Sequence, residues 1–269
     1  MTTLRRSALA VVQERDPQVK AQMARALDPG QPCAAEDEIA DPGGLPGRPD
    51  EPRLVGHTEL KQRSVRTIEG RAALIHALAH IELNAIDLAA DVIWRFAGMP
   101  EEFYRQWTVV AQEEALHFQL LSQHLQSMGY RYGQFPAHNA LWDMAQRTRH
   151  DPLARLALVP RTLEARGLDA SPPIRAKLVA AGDLRGGEIL DIILRDEIGH
   201  VGVGNHWFRH LCSRRGLDPV ATYRDLADLH RAPRPRGPFN LVARRQAGFD
   251  EAELAALQEP APAVPTILV

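Results

Sequence analysis

The 269 residues carry 45% hydrophobic and 25% charged side chains and a formal net charge of -2, the balance of a globular chain able to bury a substantial core, as one large domain or two small ones. So small a net charge does not point to attachment to nucleic acid or membrane by bulk electrostatics, and a nucleic-acid partner is not expected though not ruled out by it. No run approaches the roughly 18–20 apolar residues that crossing a bilayer takes.

The start of the chain, Met1 to Gln22, is amphipathic and charged and lacks the apolar centre of a signal peptide. To about residue 26, RRSALAVVQ and QVKAQMARAL predict one or two short helices. From Asp28 to Pro52, runs such as DPGGLPGRPDEP block helix and sheet alike, so an extended segment is expected, wrapping over the rest or hanging free. A long helix follows from Thr67 to Ala97, with Ile75, Leu78, Ala79, Ile86, Ala89 and Ile93 at helical spacing around Glu82. Gly98 and Pro100 stop it and start a second, about Glu101 to Met128, in which Glu114 shares a face with Trp107, Val110, Ala111 and Phe118.

After a mixed connection with a short helix near Leu141 to Arg147, Asp151-Pro152 opens a third helix carrying Leu153, Ala157 and Glu164. Pro160 is expected to kink this helix and Gly167 to end it, with Ser171-Pro172 starting a further helix to about Ala181. The fourth long helix spans roughly Leu184 to Arg215, where Glu197 shares a face with Leu190, Ile193, Val201 and Phe208. A short helix from Asp218 to about Arg231, a proline- and arginine-rich stretch, a last helix from Asp250 to Gln258 and a proline-rich tail complete the chain. The predicted class is all-α. The parts are an amino-terminal extension (1–66), a four-helix bundle (67–215) and a carboxy-terminal helix and tail (216–269).

The second and fourth helices each contain Glu-x-x-His, Glu114–His117 and Glu197–His200, a spacing that puts both side chains on one helix face. Alone, the motif is common by chance. Placement makes it specific, because each Glu lies within an apolar stripe, where an isolated carboxylate costs several kcal/mol to bury. The helix before each pair offers one more such Glu, and the intervals nearly repeat: 32 residues from Glu82 to Glu114, and 33 from Glu164 to Glu197. Two helical hairpins would thus aim four carboxylates and two imidazoles at one interior. Two divalent cations neutralise four carboxylates, and oxygen with imidazole donors suits iron or manganese, with zinc also accommodated. Glu113 and Asp196, just before the motif glutamates, are candidates to hydrogen-bond the histidines.

At these residues a resemblance emerges. QEEALHFQLL and RDEIGHVGVGNHWF, with IHALAHIELNAIDLAAD and LVPRTLEARGLD, resemble a bacterial family of ferritin-like proteins of unassigned function. That family lies within the ferritin-like di-iron carboxylate superfamily and is distantly similar to the tRNA hydroxylase that acts on a modified adenosine. The resemblance covers about residues 50–250. It implies that Glu114 and Glu197 bridge two metal ions, that Glu82 and Glu164 are terminal ligands, and that His117 and His200 give one imidazole to each metal.

Other features read more plainly. His76 and His80 line up with Asn84, Asp87 and Asp91 as a polar stripe off the Glu82 face, a solvated or inter-helix surface rather than a second metal site. His206 and His210 are structural. Arg231, Arg234, Arg236, Arg244 and Arg245 make the carboxy-terminal segment basic, and clamping that segment onto the bundle is favoured over contact with RNA, since interleaved aromatics are few. Cys33 and Cys212 give no reason to pair, so a reduced, cytoplasmic protein is expected. The favoured function is an oxidoreductase using two iron ions and molecular oxygen on a small molecule or modified nucleoside. A ferroxidase or iron-storage protein and a metal-stabilised binding protein without catalysis are the alternatives. No membrane partner is expected, and a homodimer is compatible with the sequence.

Overall fold

The structure, a computed structural model, describes residues 2–60 and 63–258; the proline-rich tail from 259 lies outside them. Among the described residues the regular elements are helical, with one isolated parallel bridge between Leu54 and Ala137. Two short helices, α1 (Leu4–Gln13) and α2 (Pro17–Arg25), precede the long α3 (Ile68–Arg95) and α4 (Glu101–Ser127). Next come α5 (Ala140–Arg147), α6 (Pro152–Leu158), a π-helical turn over Val159–Glu164, and α7 (Ala165–Ala180). The long α8 (Leu184–Arg215) is followed by α9 (Pro219–Leu229), α10 (Leu241–Gln246) and α11 (Glu251–Gln258).

Caps written in the sequence set several starts. The side chains of Asp16, Thr67, Asp151, Asp183 and Asp218 each accept a backbone N–H of the helix they open. Three of them stand before a proline in the first turn, where the missing N–H costs nothing. Gly216, at φ 65, closes α8 in the left-handed conformation that a side chain disfavours.

The α3–α4 pair packs as one hairpin, and the π turn with α7 packs on α8 as the other. The hairpins meet where α4 lies on α8, while α1 covers α3 and α2 covers α4. This enclosure corrects one expectation. By length, 28 residues, and by the mean hydropathy of 1.3 in its most apolar 18-residue window, α3 passes the test for a membrane span. A helix enclosed on most sides must be apolar nearly all round, and α3 also buries Glu82, Asp87 and Asp91.

The proline- and glycine-rich segment after α2 wraps over the helices. The buried guanidinium of Arg5 ties it down, donating to the carbonyls of Ala34 (3.0 Å), Ala35 (3.0 Å), Ile93 (3.3 Å) and Trp94 (2.8 Å). The last two are open carbonyls at the end of α3, so one arginine caps that helix and pins the wrap. The stripe of His76, His80, Asn84, Asp87 and Asp91 is an inter-element seam, buried along its whole length and not solvated. Lys20 of α2 pairs with Asp87, and Asp91 lies between Arg95 and Arg155. His80 Nε2 faces the carbonyl of His138 at 3.1 Å, which can only accept, so Nε2 holds the proton and Nδ1 accepts from the Tyr132 hydroxyl at 2.7 Å.

The third helical run departs from expectation twice. Pro160 produces a π turn rather than a plain kink: the Ala165 N–H bonds the Pro160 carbonyl, and the Thr162 hydroxyl bonds the Ala157 carbonyl at 2.9 Å, each five residues back. Gly204 of α8 lets the bulge in, since a Cβ there would stand 2.5 Å from the Pro160 ring. Nor does Gly167 end the helix, and Ser171-Pro172 starts none; α7 runs through all of them to Ala180. Pro172 has no N–H for the Leu168 carbonyl, and the Asn240 side chain supplies one instead at 3.2 Å. A residue 72 positions further on repairs the helix.

Candidate metal centre

Four helical runs each deliver part of the predicted set. Glu82 comes from the middle of α3, Glu114 and His117 from α4, Glu164 from the last position of the π turn, and Glu197 and His200 from α8. All are buried except Glu164, which is half-buried as a residue while its Oε2 is fully enclosed. One ligand atom each from Glu82, Glu114, His117 and Glu197 lies within 4.8 Å of the others. His200 Nδ1 joins them at 2.9 Å from Glu114 Oε1 and 3.6 Å from Glu197 Oε1. His117 Nδ1 lies 3.3 Å from Glu82 Oε2 and 3.4 Å from Glu114 Oε2. Glu114 therefore faces both imidazoles, one oxygen to each.

These atoms are close, yet they are not aligned as hydrogen bonds. Glu82 Oε2, both Glu114 oxygens, Glu164 Oε2, Glu197 Oε2 and the Nδ1 atoms of both histidines are buried without a hydrogen-bond partner. So many orphaned acceptors in one place need an explanation. Ligand atoms about 2.1 Å from a shared cation, at right to tetrahedral angles, stand roughly 3.0–3.4 Å apart and point at the cation instead of at each other. The observed separations have this character, so the donor set fits metal ions.

The outer ring nitrogens fix the tautomers. His117 Nε2 donates to Asp196 Oδ2 at 3.1 Å and His200 Nε2 to Glu113 Oε2 at 2.8 Å. Each carboxylate thus holds the histidine of the opposite helix and turns its Nδ1 inward, where release of the Nδ1 proton would leave a lone pair for a metal ion. Arg195 in turn grips Asp196 through two bonds, at 2.7 and 3.1 Å.

Charge is the second sign of an ion site. Burial pushes the Glu82, Glu164 and Glu197 carboxyls up, and the neighbouring Glu114 charge adds to the rise. Burial opposes charge on His117 as well, but the hydrogen bond to Asp196 and the close carboxylates of Glu114 and Glu82 outweigh it and hold the imidazole at about 12. His200 is likewise raised, against burial, chiefly by the Glu114 charge. Protons here occupy the place that cations would take.

Comparison with known proteins adds the lineage. The chain matches a family described as "Protein of unknown function (DUF455)" over residues 13–255. It belongs to the DUF455 family. An uncharacterised protein of Haemophilus influenzae is 46% identical over 229 residues, 82% of this chain and 80% of that one. No solved structure matches the chain.

In this DUF455 chain some of the environment was beyond sequence reading. The reach of Glu113 and Asp196 across to the opposite helix, and the hold of Arg195 on Asp196, depend on how α4 meets α8. The buried Arg161 of the π turn is unsignalled too: it pairs with Glu253 of α11 at 3.0 Å, under the rings of Phe208, Tyr223 and Phe249. Of the carboxy-terminal arginines, Arg244 clamps Asp169 at 2.6 Å and Arg245 pairs with Glu251 at the surface. His206 and His210 pack edge-on against Trp207.

Proposed function

We propose that this protein is a ferritin-like di-metal carboxylate protein that holds two iron ions and uses molecular oxygen to oxidise an organic substrate. The observation that carries the reading is the inward set of orphaned carboxylate and Nδ1 atoms drawn from four helical runs. Glu82, Glu114 and His117 would hold one ion, and Glu164, Glu197 and His200 the other, with Glu114 and Glu197 shared. A pair of ferrous ions bound there supplies electrons to oxygen and so an oxidant for the substrate.

The chain's own residues do the rest. Glu113 and Asp196 keep each imidazole oriented, so that with a metal ion bound in place of the inner proton Nδ1 faces it. Burial of the cluster keeps bulk water from the reacting atoms and strengthens every charge contact within it. The π turn presents Glu164, and such turns often mark functional sites in helices. Two free, buried thiols, Cys33 and Cys212, suit a reducing compartment, and the cytoplasm is the proposed location.

Metal analysis of protein purified without oxygen tests the reading, followed by oxygen exposure under optical spectroscopy. Two irons per chain and an oxygen-dependent absorption change are expected, with Glu114→Ala losing at least one of the two. A variant that kept both metals would remove Glu114 from the ligand set.

A further inference from the structure

On the opposite face of α3 from the carboxylate cluster lies a cavity of about 30 Å³, between α3, the start of α2, the wrapping segment and the Tyr132 loop. That volume holds one or two waters, or the head of a small oxyanion. Its polar lining includes Arg15, Lys20, Arg48, His80, Asp87 and Tyr132. Part of its wall is Pro17, Pro49 and Pro52, whose fixed φ favours a preformed shape.

One cation of the lining has no carboxylate in direct contact among the described residues. Lys20 and Asp87 are both buried and neutralise each other. Arg15 pairs with Asp50 at 2.9 Å on the exposed rim. The tautomer set by the His138 carbonyl leaves His80 neutral. Arg48 is that cation: among the described residues its hydrogen bonds run only to neutral amide oxygens, Asn84 Oδ1 at 3.5 Å and Asn139 Oδ1, while the carboxylates of Asp87 and Asp143 act on it without a direct ion pair. It is half-buried, and burial draws its pKa down. A lysine or histidine so placed could shed its proton, but a guanidinium cannot within the pH range of a folded protein. Its fork is therefore free to pair directly with an anion.

We propose that this cavity is a binding site for a small oxyanion, a carboxylate or phosphate group, seated on the Arg48 guanidinium. The planar fork of arginine matches two oxygens of such a group. Lys20 Nζ uses hydrogens on Asp87 and on the Gly47 carbonyl at 3.0 Å, and has a third for the same ligand. The cavity admits only the charged head, so any larger remainder of the ligand stays outside. This site is independent of the metal reading, because its residues face away from the ligand cluster.

The test is calorimetry and thermal unfolding of the full chain with sodium phosphate and with sodium acetate, each against sodium chloride at equal ionic strength. Saturable binding of one anion per chain and a higher Tm are expected with phosphate, acetate or both, and the pattern identifies the head group. Arg48→Gln should weaken that binding at least tenfold while leaving metal content as it was. If that variant does not fold, Arg48→Lys keeps the charge without the fork and should still bind more weakly than the parent. Should neither anion act beyond chloride, or should the Arg48 variants bind like the parent, the site does not exist.

Discussion

Glu114 sits between two charged imidazoles, and this explains why its carboxyl moves down while three neighbours move up. Burial alone would raise it; contact with His200 and His117 reverses the sign. The consequence for metal uptake can be worked through proton by proton. Without metal, His117 keeps its proton to about pH 12, and Glu82, Glu164 and Glu197 keep theirs above the usual carboxylate range. Metal ions require all of these groups unprotonated, so binding releases protons and affinity should strengthen as pH rises. Ferrous or cobaltous titrations at pH 6, 7 and 8, with proton release read by calorimetry in two buffers, check this. A pH-independent affinity would contradict the assigned protonation.

At the scale of elements, two helices are held by polar contacts with distant parts of the chain. Helix α2 docks through Lys20, whose buried ammonium neutralises Asp87 of α3. Lys20→Met should cost about 3–5 kcal/mol, because it leaves a carboxylate buried without a partner. Lys20→Met combined with Asp87→Leu should recover most of that loss. Urea unfolding of the three proteins decides it, and equal losses in the single and double variants would show that the pair is not coupled. Helix α7 depends on Asn240, which both caps α10 through Ala243 N–H and fills the vacancy at the Leu168 carbonyl. Asn240→Ser keeps a capping oxygen but is too short to reach Leu168, so roughly 1–3 kcal/mol should be lost. Faster amide exchange should then appear around Pro172. A loss confined to α10 would assign the whole effect to the cap.

For the molecule as a whole, the two hairpins meet along α4 and α8 with four carboxylates between them. The metal-free protein relieves their repulsion with protons, and metal ions would relieve it more strongly. Saturating ferrous or cobaltous ion at about 100 times its dissociation constant should add about 2.7 kcal/mol of stability. For a chain of this size that raises Tm by roughly 5–10 °C, measurable by anaerobic scanning calorimetry. No rise, with metal shown to be bound, would mean that the ions do not join the hairpins.

The sequence by itself determined the helical class, most helix starts and the apolar stripe around each candidate ligand glutamate. These are local properties: a capping side chain acts within a few residues, and an apolar stripe around a carboxylate is visible in the spacing. The continuity of α7, the π turn at Pro160, the crossed carboxylate–histidine pairs and the placing of Arg48 at the cavity were decided by tertiary structure. Each depends on a group from far along the chain: Asn240 for Leu168, Gly204 for Pro160, Asp196 for His117, the wrapping segment for the cavity. Periodicity shows which face of a helix is buried, but the partner met there is set by how the helices pack.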